Sequence, residues 1–190
     1  MSACIHRLCK GLTMKICVTN RHLCKGDFYE TIRRAAETAD MIILREKDLP
    51  PEKYREYAEH VQQICREKKR LFCVNTFSEV AEELESDLLQ LSYFSFMNYE
   101  KKTIRTGVSV HSLSEAVSAE KKGADFLIAG HIFQTDCKKD LAPRGVKFLT
   151  EIVSNVEIPV YAIGGINPQN EHLIYGCGAN GICIMSGYMK

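Results

Sequence analysis

Short apolar runs alternate with longer amphipathic segments along most of the chain. The short runs are apolar on both faces and comprise residues 16–18, 41–44, 71–74, 88–91, 107–110, 126–129, 160–163 and 181–185. Because they lack the polar alternation of a half-exposed strand, they are typical of parallel strands covered by helices. We therefore predict eight buried parallel strands.

The segments between these runs have the spacing and start signals of helices. They comprise residues 28–38, 52–69, 78–84, 114–122, 146–154 and 169–175. Asp27 precedes the first helix, and Pro50 and Pro51 open the second. Alternating strands and helices fit either an open doubly wound sheet or a closed barrel. Eight strands favour an α/β fold of the (β/α)8 barrel type over residues 14–190, preceded by an N-terminal extension over residues 1–13.

Two segments depart from a regular barrel. Such barrels usually have about 250 residues, and here the chain ends five residues after Met185, so we expect the eighth helix to be missing. Residues 92–102 contain aromatic and apolar side chains without helical spacing. They predict a loop packed on an apolar surface, and a homodimer contact is one interpretation.

The composition argues against nucleic acid and membranes as partners. The chain has 25 Lys and Arg against 24 Asp and Glu, a formal net charge of +1. This balance gives no electrostatic footprint for nucleic acid or an acidic membrane surface, and no apolar run is long enough to span a bilayer. Residues 1–13 lack the apolar core of a secretory signal, so we expect a cytoplasmic protein.

The nine cysteines form no C-x-x-C pair. An odd count without metal-type spacing favours reduced thiols over a disulfide framework or a zinc site. Cys17, Cys73 and Cys183 lie inside apolar runs and are predicted to be buried, whereas Cys137 lies outside them.

Chemistry in a parallel barrel is expected where the strands end. The polar and glycine residues that follow the apolar runs are Thr19, Asn20, Arg45, Lys47, Asn75, Ser92, His111, His131, Gly164, Gly165, Ser186 and Gly187. This set contains cations, imidazoles and glycines but no pair of carboxylates placed to hold a divalent ion. We therefore predict a site without a divalent metal ion.

Two glycine-containing pairs predict a phosphate site. Gly164-Gly165 follow the seventh run and Ser186-Gly187 follow the eighth, where barrels commonly bind phosphate through backbone N–H groups. Each pair alone is also compatible with an ordinary tight turn. Their occurrence together, in this order, favours a bound phosphate.

Two histidines follow strands. An ordinary imidazole has a pKa of about 6.5 and can take up and return a proton near neutrality. His131, at the end of the sixth run, is therefore a candidate acid and base, with a structural hydrogen bond as the alternative. His111 directly precedes a helix start, which favours a capping or orienting role.

Several segments together match one enzyme family. Residues 107–126 read GVSVHSLSEAVSAEKKGADF, residues 130–139 read GHIFQTDCKK, residues 158–166 read IPVYAIGGI and residues 43–48 read ILREKD. These segments resemble the thiazole tautomerases of bacterial thiamine synthesis, which are relatives of thiamine phosphate synthase. The resemblance extends over residues 14–187 and implies a (β/α)8 barrel.

Two places distinguish the tautomerase from the synthase. The synthase pattern has Asn-Asp after the third strand and H-L-G-Q-x-D after the fourth, where carboxylates hold magnesium; residues 75–76 here are Asn-Thr, and residues 90–95 are QLSYFS. Diphosphate departure would lack that charge stabilisation. After the sixth strand the synthase pattern has proline where this chain has His131 and threonine where it has Cys137.

The resemblance implies a cofactor-independent isomerisation of 2-carboxythiazole ylidene ethyl phosphate to the aromatic carboxythiazole ethyl phosphate. His131 is implied as the base and acid. The implied substrate-binding residues are Arg45, Lys47, Asn75, Thr135, Cys137 and Lys138, and the implied phosphate-binding residues are Gly164, Gly165, Ser186 and Gly187. Arg45 is best suited to the substrate carboxylate through two parallel hydrogen bonds.

Three alternatives remain open at this point. The chain could be a magnesium-dependent thiamine phosphate synthase, or a noncatalytic regulator that binds a phosphate ligand. Arg45 and Lys47 could also belong to a structural network of ion pairs with Glu46 and Asp48 at the rim of the barrel.

Overall fold

The strands of the computed structural model close into a parallel barrel. The structure describes residues 13–100, 103–135 and 141–190, so the predicted extension lies outside the described residues except for Thr13. The strands are β1 Met14–Val18, β2 Met41–Leu44, β3 Leu71–Asn75, β4 Leu88–Ser92, β5 Arg105–Val110, β6 Phe126–Gly130, β7 Val160–Ile163 and β8 Gly181–Ile184. Each strand pairs with the next and β8 pairs with β1. The predicted (β/α)8 barrel is confirmed, and the open sheet is excluded.

Helices alternate with the strands around the outside. They are α1 Phe28–Thr38, α2 Pro51–Lys68, α3 Ser78–Glu83, α4 Tyr93–Met97, α5 Leu113–Lys121, α6 Gly145–Asn155, α7 Glu171–Gly176 and α8 Ser186–Met189. A short 3-10 turn, Arg21–Leu23, follows β1. Within the described ranges, none of these helices is long and apolar enough to cross a membrane.

The prediction that the eighth helix is missing was wrong. The single turn of α8 follows β8 and buries Met189 completely. It also brings the Tyr188 hydroxyl within 3.5 Å of Thr38 Oγ1 at the end of α1. This helix of one turn packs against α1 beyond the end of β8, and it is too short to give a hydrophobic period in the sequence.

The prediction of a loop over residues 92–102 was wrong for residues 93–97, which form α4, whereas the predicted packing of this segment on an apolar surface is confirmed by Phe96. Ser92 caps the helix by accepting a hydrogen bond from the Ser95 N–H. Phe96 is completely buried, whereas Phe94 is 78% exposed. The homodimer contact assigned to this segment stays a prediction.

Side chains from the strands form two apolar layers. Alternate residues such as Ile16, Ile43 and Tyr161 fill the interior of the barrel, while the residues between them, such as Leu44 and Ala162, pack beneath the helices. The pleat of each strand produces this alternation. It also decides which residues at the strand ends can line the mouth of the barrel.

A repeated hydrogen bond fastens neighbouring strands at the opposite end of the barrel. The residue before each even-numbered strand is Asp or Asn, and its side-chain oxygen accepts a bond from a backbone N–H near the start of the preceding strand. The four bonds join Asp40 to Lys15 at 3.0 Å, Asp87 to Phe72 at 3.0 Å, Asp125 to Thr106 at 2.7 Å and Asn180 to Val160 at 3.0 Å. Each bond gives an acceptor to a backbone N–H group that would otherwise have no hydrogen-bond partner in the sheet.

We expect Asp87→Ala to lower the free energy of unfolding by about 1 to 2 kcal/mol, because the Phe72 N–H loses its acceptor. Asp87→Asn keeps an acceptor oxygen, as Asn180 does naturally, and should cost much less. Thermal denaturation of both variants measures the difference. Equal losses for Ala and Asn would contradict the assigned role of the oxygen.

Candidate active site

The predicted site residues that the structure describes lie at the exits of different strands around one mouth. The β7–β8 register pairs Ile163 with Cys183, so the Gly164-Gly165 segment and the start of α8 are neighbours. On the other side of β8, Asn20 Nδ2 lies 3.9 Å from Met185 Sδ. The predicted phosphate residues therefore come from adjacent strands, although phosphate binding by them stays a prediction.

His131 is nearly buried at the exit of β6, with 5% of its surface exposed. Its Nε2 lies 3.2 Å from the carbonyl oxygen of Leu141. Because a carbonyl only accepts hydrogen bonds, this contact requires a proton on Nε2, which in a neutral ring leaves the lone pair on Nδ1. The Arg144 N–H donates to the His131 carbonyl at 3.0 Å, which joins the same segment to the exit of β6.

Gly164 and Gly165 let the segment after β6 pack directly on the exit of β7. Both have positive φ, +105° and +66°. A Cβ on Gly164 would lie 2.3 Å from the His131 Cβ, and one on Gly165 would lie 2.3 Å from the Gln134 carbonyl oxygen. The Phe133 N–H also donates to the Gly164 carbonyl at 3.0 Å. These glycines therefore have a demonstrable packing role in placing His131.

Neutral side chains connect β3, β4 and β5 inside the mouth. Asn75 Nδ2 donates to Gln90 Oε1, and Gln90 Nε2 donates to Ser109 Oγ at 2.7 Å. Asn75 and Gln90 are only 4% and 5% exposed. Asn75 was predicted at this site, but Gln90 and Ser109 were not. The sequence feature that could have revealed Gln90 and Ser109 is a polar residue at an inward-facing position in the second half of an otherwise apolar strand.

Thr76 holds this group of neutral side chains in place from the end of β3. Its φ is +74°, an uncommon conformation for a β-branched residue. Its backbone N–H donates to the Gln90 carbonyl at 2.9 Å, and its hydroxyl donates to Asn75 Oδ1 at 3.1 Å. Thr76 therefore fixes the orientation of the Asn75 amide.

A group of charged residues joins the exits of β1 and β2. Glu46 accepts hydrogen bonds from the Thr19 hydroxyl and from the backbone and guanidinium of Arg21. Arg21 and His22 also bond to Asp48. The Arg21 hydrogen bond, followed by that of His22, holds the pKa of the half-exposed Asp48 carboxyl well below its usual range.

The suggested network at Glu46 and Asp48 includes two residues that were not predicted, since Arg21 pairs with both carboxylates and His22 contacts Asp48. No ion pair to Arg45 is found within residues 13–100, 103–135 and 141–190. Lys47 is exposed. Position along the strand, rather than proximity in sequence, decides which cation reaches each carboxylate.

The remaining predicted residues are placed as follows. Thr135 is half-buried, whereas Cys137 and Lys138 lie outside the described residues. His111 precedes α5, where Ser112 caps the helix and Glu115 Oε2 accepts the His111 backbone N–H at 2.6 Å. This arrangement is consistent with the orienting role suggested for His111.

Burial accounts for the chemistry of the cysteines in the strands. Cys17, Cys73 and Cys183 are buried free thiols, and burial raises the pKa of each. They therefore remain protonated near neutral pH and pack as small apolar side chains. The part of the chain that the structure describes contains no cluster of three or more His, Cys, Asp or Glu suited to a metal ion.

Comparison with known protein families shows to which family this chain belongs. The family profile described as thiamine monophosphate synthase matches residues 16–188, nearly the whole chain. The chain belongs to this family. The family is one of thiamine biosynthesis, and its matched region includes every strand exit described above.

Relatives of the family cover most of the chain. The thiamine-phosphate synthase of Pyrococcus furiosus is 39% identical over 165 residues, which are 84% of this chain and 80% of the relative. A putative thiamine-phosphate synthase of Aquifex aeolicus is 34% identical over 178 residues, 91% of this chain and 96% of the relative. The family assignment therefore rests on full-length similarity.

A solved structure from the family has the same fold. The thiamine phosphate pyrophosphorylase of Pyrococcus furiosus superposes with a TM-score of 0.81 and 34% sequence identity, covering 96% of this chain and 87% of that chain. The names of these relatives describe a transferase, whereas the residues at the mouth here differ from the synthase pattern after β3, β4 and β6.

Proposed function

We propose that this member of the family is an isomerase, a thiazole tautomerase that converts 2-carboxythiazole ylidene ethyl phosphate to aromatic carboxythiazole ethyl phosphate. The observation on which this choice rests is the set of neutral side chains at the exits of β3 and β4. A transferase that releases diphosphate needs strong stabilisation of the departing negative charge. An isomerase needs only binding and proton transfer.

The residues at these two exits do not fit a magnesium ion. Mg²⁺ is usually bound through carboxylate oxygens in proteins. Thr76 stands where the synthase pattern has Asp, and its hydroxyl is directed to Asn75. Ser95 stands at the second acidic position, and its Oγ lies 2.7 Å from Ser92 Oγ in the first turn of α4. Hydroxyl and amide groups engaged with one another are a poor substitute for carboxylate ligands.

His131 is suited to the proton shift that an isomerase requires. In the proposed reaction, the ring C–H bond beside the substrate carboxylate breaks and the proton passes to His131 Nδ1. That N–H bond then breaks as the proton is delivered to the exocyclic carbon, so no atom or electron pair is gained or lost overall. The Leu141 carbonyl, as acceptor for Nε2–H, stabilises the imidazolium between the two steps. Such acid–base catalysis typically contributes about 10²- to 10⁴-fold in rate.

The rest of the mouth would hold the substrate. Backbone N–H groups of Gly164, Gly165, Ser186 and Gly187 are proposed to bind the phosphate. The Arg45 guanidinium is proposed to bind the carboxylate through charge-assisted hydrogen bonds. Lys47, Asn75, Thr135, Cys137 and Lys138 complete the proposed substrate-binding set.

The second candidate is a magnesium-dependent thiamine-phosphate synthase. The names of the relatives at 39% and 34% identity support it more directly than they support an isomerase. It predicts that the chain joins the pyrimidine diphosphate to the thiazole phosphate and releases diphosphate only when magnesium is present.

Assays of the two reactions decide between these candidates. The purified protein is mixed with the product of thiazole synthase, and formation of the aromatic ring is followed by ultraviolet absorbance, with and without a chelator. We expect acceleration that persists with the chelator. Diphosphate release from the pyrimidine substrate, dependent on magnesium, would establish the synthase instead, and binding of the thiazole phosphate without turnover would indicate a regulatory protein.

A further inference from the structure

A buried carboxylate lies behind the wall of the barrel, close to the predicted substrate-binding arginine. Ile43 faces the barrel interior and Leu44 faces the helices, so the alternation of the strand places Arg45 on the inner side and Glu46 on the outer side. Glu46 is 2% exposed and Thr19 is completely buried. Glu46 therefore has no direct access to a ligand in the mouth.

A continuous hydrogen-bond chain nevertheless connects Glu46 to Arg45. The backbone N–H of Arg45 donates to Thr19 Oγ1 at 2.9 Å. The same hydroxyl donates to Glu46 Oε1 at 2.6 Å. Because an ionised carboxylate can only accept, Glu46 fixes the direction in which the Thr19 hydroxyl points, and the oxygen of that hydroxyl is left to accept the Arg45 N–H.

Arg21 balances the charge of Glu46. Its backbone N–H lies 3.1 Å from both carboxylate oxygens, and its Nη1 lies 3.2 Å from Oε2. Glu46 thus accepts hydrogen bonds from both Arg21 and Thr19. Arg21, rather than the neighbouring Arg45, therefore compensates the charge of Glu46 among the described residues.

We infer that Glu46 is a positioning residue, which acts through the Thr19 hydroxyl to hold the exit of β2 so that Arg45 meets an anionic group of the substrate. This inference rests on the proposed function for the identity of that group, the thiazole carboxylate. A small displacement of a binding group is costly, since productive geometry requires sub-ångström placement.

The matched variants Thr19→Val and Thr19→Ser test the hydrogen-bond chain. Valine has nearly the shape of threonine but no hydroxyl, whereas serine keeps the hydroxyl. We expect Thr19→Val to raise KM about tenfold with kcat within about twofold of wild type, and Thr19→Ser to resemble wild type. Asp48→Asn serves as a control, because Asp48 contacts Arg21 and His22 but belongs to neither bond of this chain.

Comparing the affinities of two ligands separates a loss of Arg45 positioning from a general structural effect of the substitution. Calorimetry with carboxythiazole ethyl phosphate and with thiazole ethyl phosphate, which lacks the carboxylate, reports the contribution of Arg45 directly. Thr19→Val should lose about tenfold in affinity for the first probe and little for the second. In an Arg45→Met background, Thr19→Val should cause no further loss. Equal loss for both probes, or an additive loss in that background, would overturn the inference.

Two further outcomes are distinguishable. If Thr19→Val does not fold, Glu46→Gln makes the same comparison, because the amide places an NH2 donor against either the Thr19 hydroxyl or the Arg21 guanidinium, where both Glu46 oxygens now accept. If wild type proves to be a magnesium-dependent transferase, the proposed function fails, and the Val and Ser variants are then compared by their KM for the pyrimidine diphosphate. Identical KM values for those two variants would overturn the positioning role in that case as well.

Discussion

His131→Asn is expected to lower kcat for the isomerisation by about 10²- to 10⁴-fold, which is the usual contribution of a general acid and base. An amide of similar size cannot carry the proton between the two carbons. Affinity for carboxythiazole ethyl phosphate should stay within about twofold, since the phosphate and carboxylate contacts are assigned to other residues. Ultraviolet absorbance of the product measures the rate, and calorimetry measures the affinity.

Two companion variants make this result specific. His131→Gln places an amide N–H near the position of Nε2 and can keep the bond to the Leu141 carbonyl, so a purely structural histidine would tolerate it. We expect the same loss of turnover as with Asn. His172→Asn changes an exposed histidine on α7 and should leave the rate unchanged. Wild-type turnover in either His131 variant would refute the catalytic assignment.

Gly164→Ala is expected to lower the free energy of unfolding by about 3 kcal/mol, through strain at positive φ and overpacking. The new Cβ would lie 2.3 Å from the His131 Cβ and 2.8 Å from its Cα, so the backbone of the segment after β6 must move. For a domain of this size we expect Tm to fall by roughly 6 to 12 °C. Turnover should fall as well, because the displaced group is the proposed base.

Gly123→Ala is the matched control for Gly164→Ala. Gly123 has a similar φ of +95°, but no atom lies within 4 Å of the position its Cβ would take. Its substitution should therefore cost only the backbone strain, about 1 to 2 kcal/mol. Thermal denaturation compares the two variants, and equal stability losses would show that the contact with His131 contributes nothing.

Most helices and strands could be predicted because apolar runs and capping residues within each segment indicate them. The apolar run 41–44 coincides with β2, and the segment after Asp27 coincides with α1, which Asp27 caps through the Glu30 N–H. Met189 and Phe96 lie in helices of four and five residues. Such short helices show no hydrophobic period, so α8 and α4 were missed.

The site could be predicted only where it follows from the order of residues along a strand. Gly164 was predicted because it directly follows an apolar run, and His131 because it follows one after a single glycine. The contacts of Gln90 with Ser109, and of Glu46 with Arg21, cross between strands. They depend on strand register and on which face each residue occupies, and neither is given by the sequence pattern alone.

The hydrogen bonds of Asp40, Asp87, Asp125 and Asn180 lie at the rim opposite the mouth. Each joins two strands that are consecutive along the chain, so the scaffold is secured far from the reacting groups. Exchanging a side chain at the mouth therefore leaves these four bonds between strands in place. This separation is consistent with the proposal that the same architecture can be adapted from group transfer to rearrangement of a heterocycle through a few residues at the mouth.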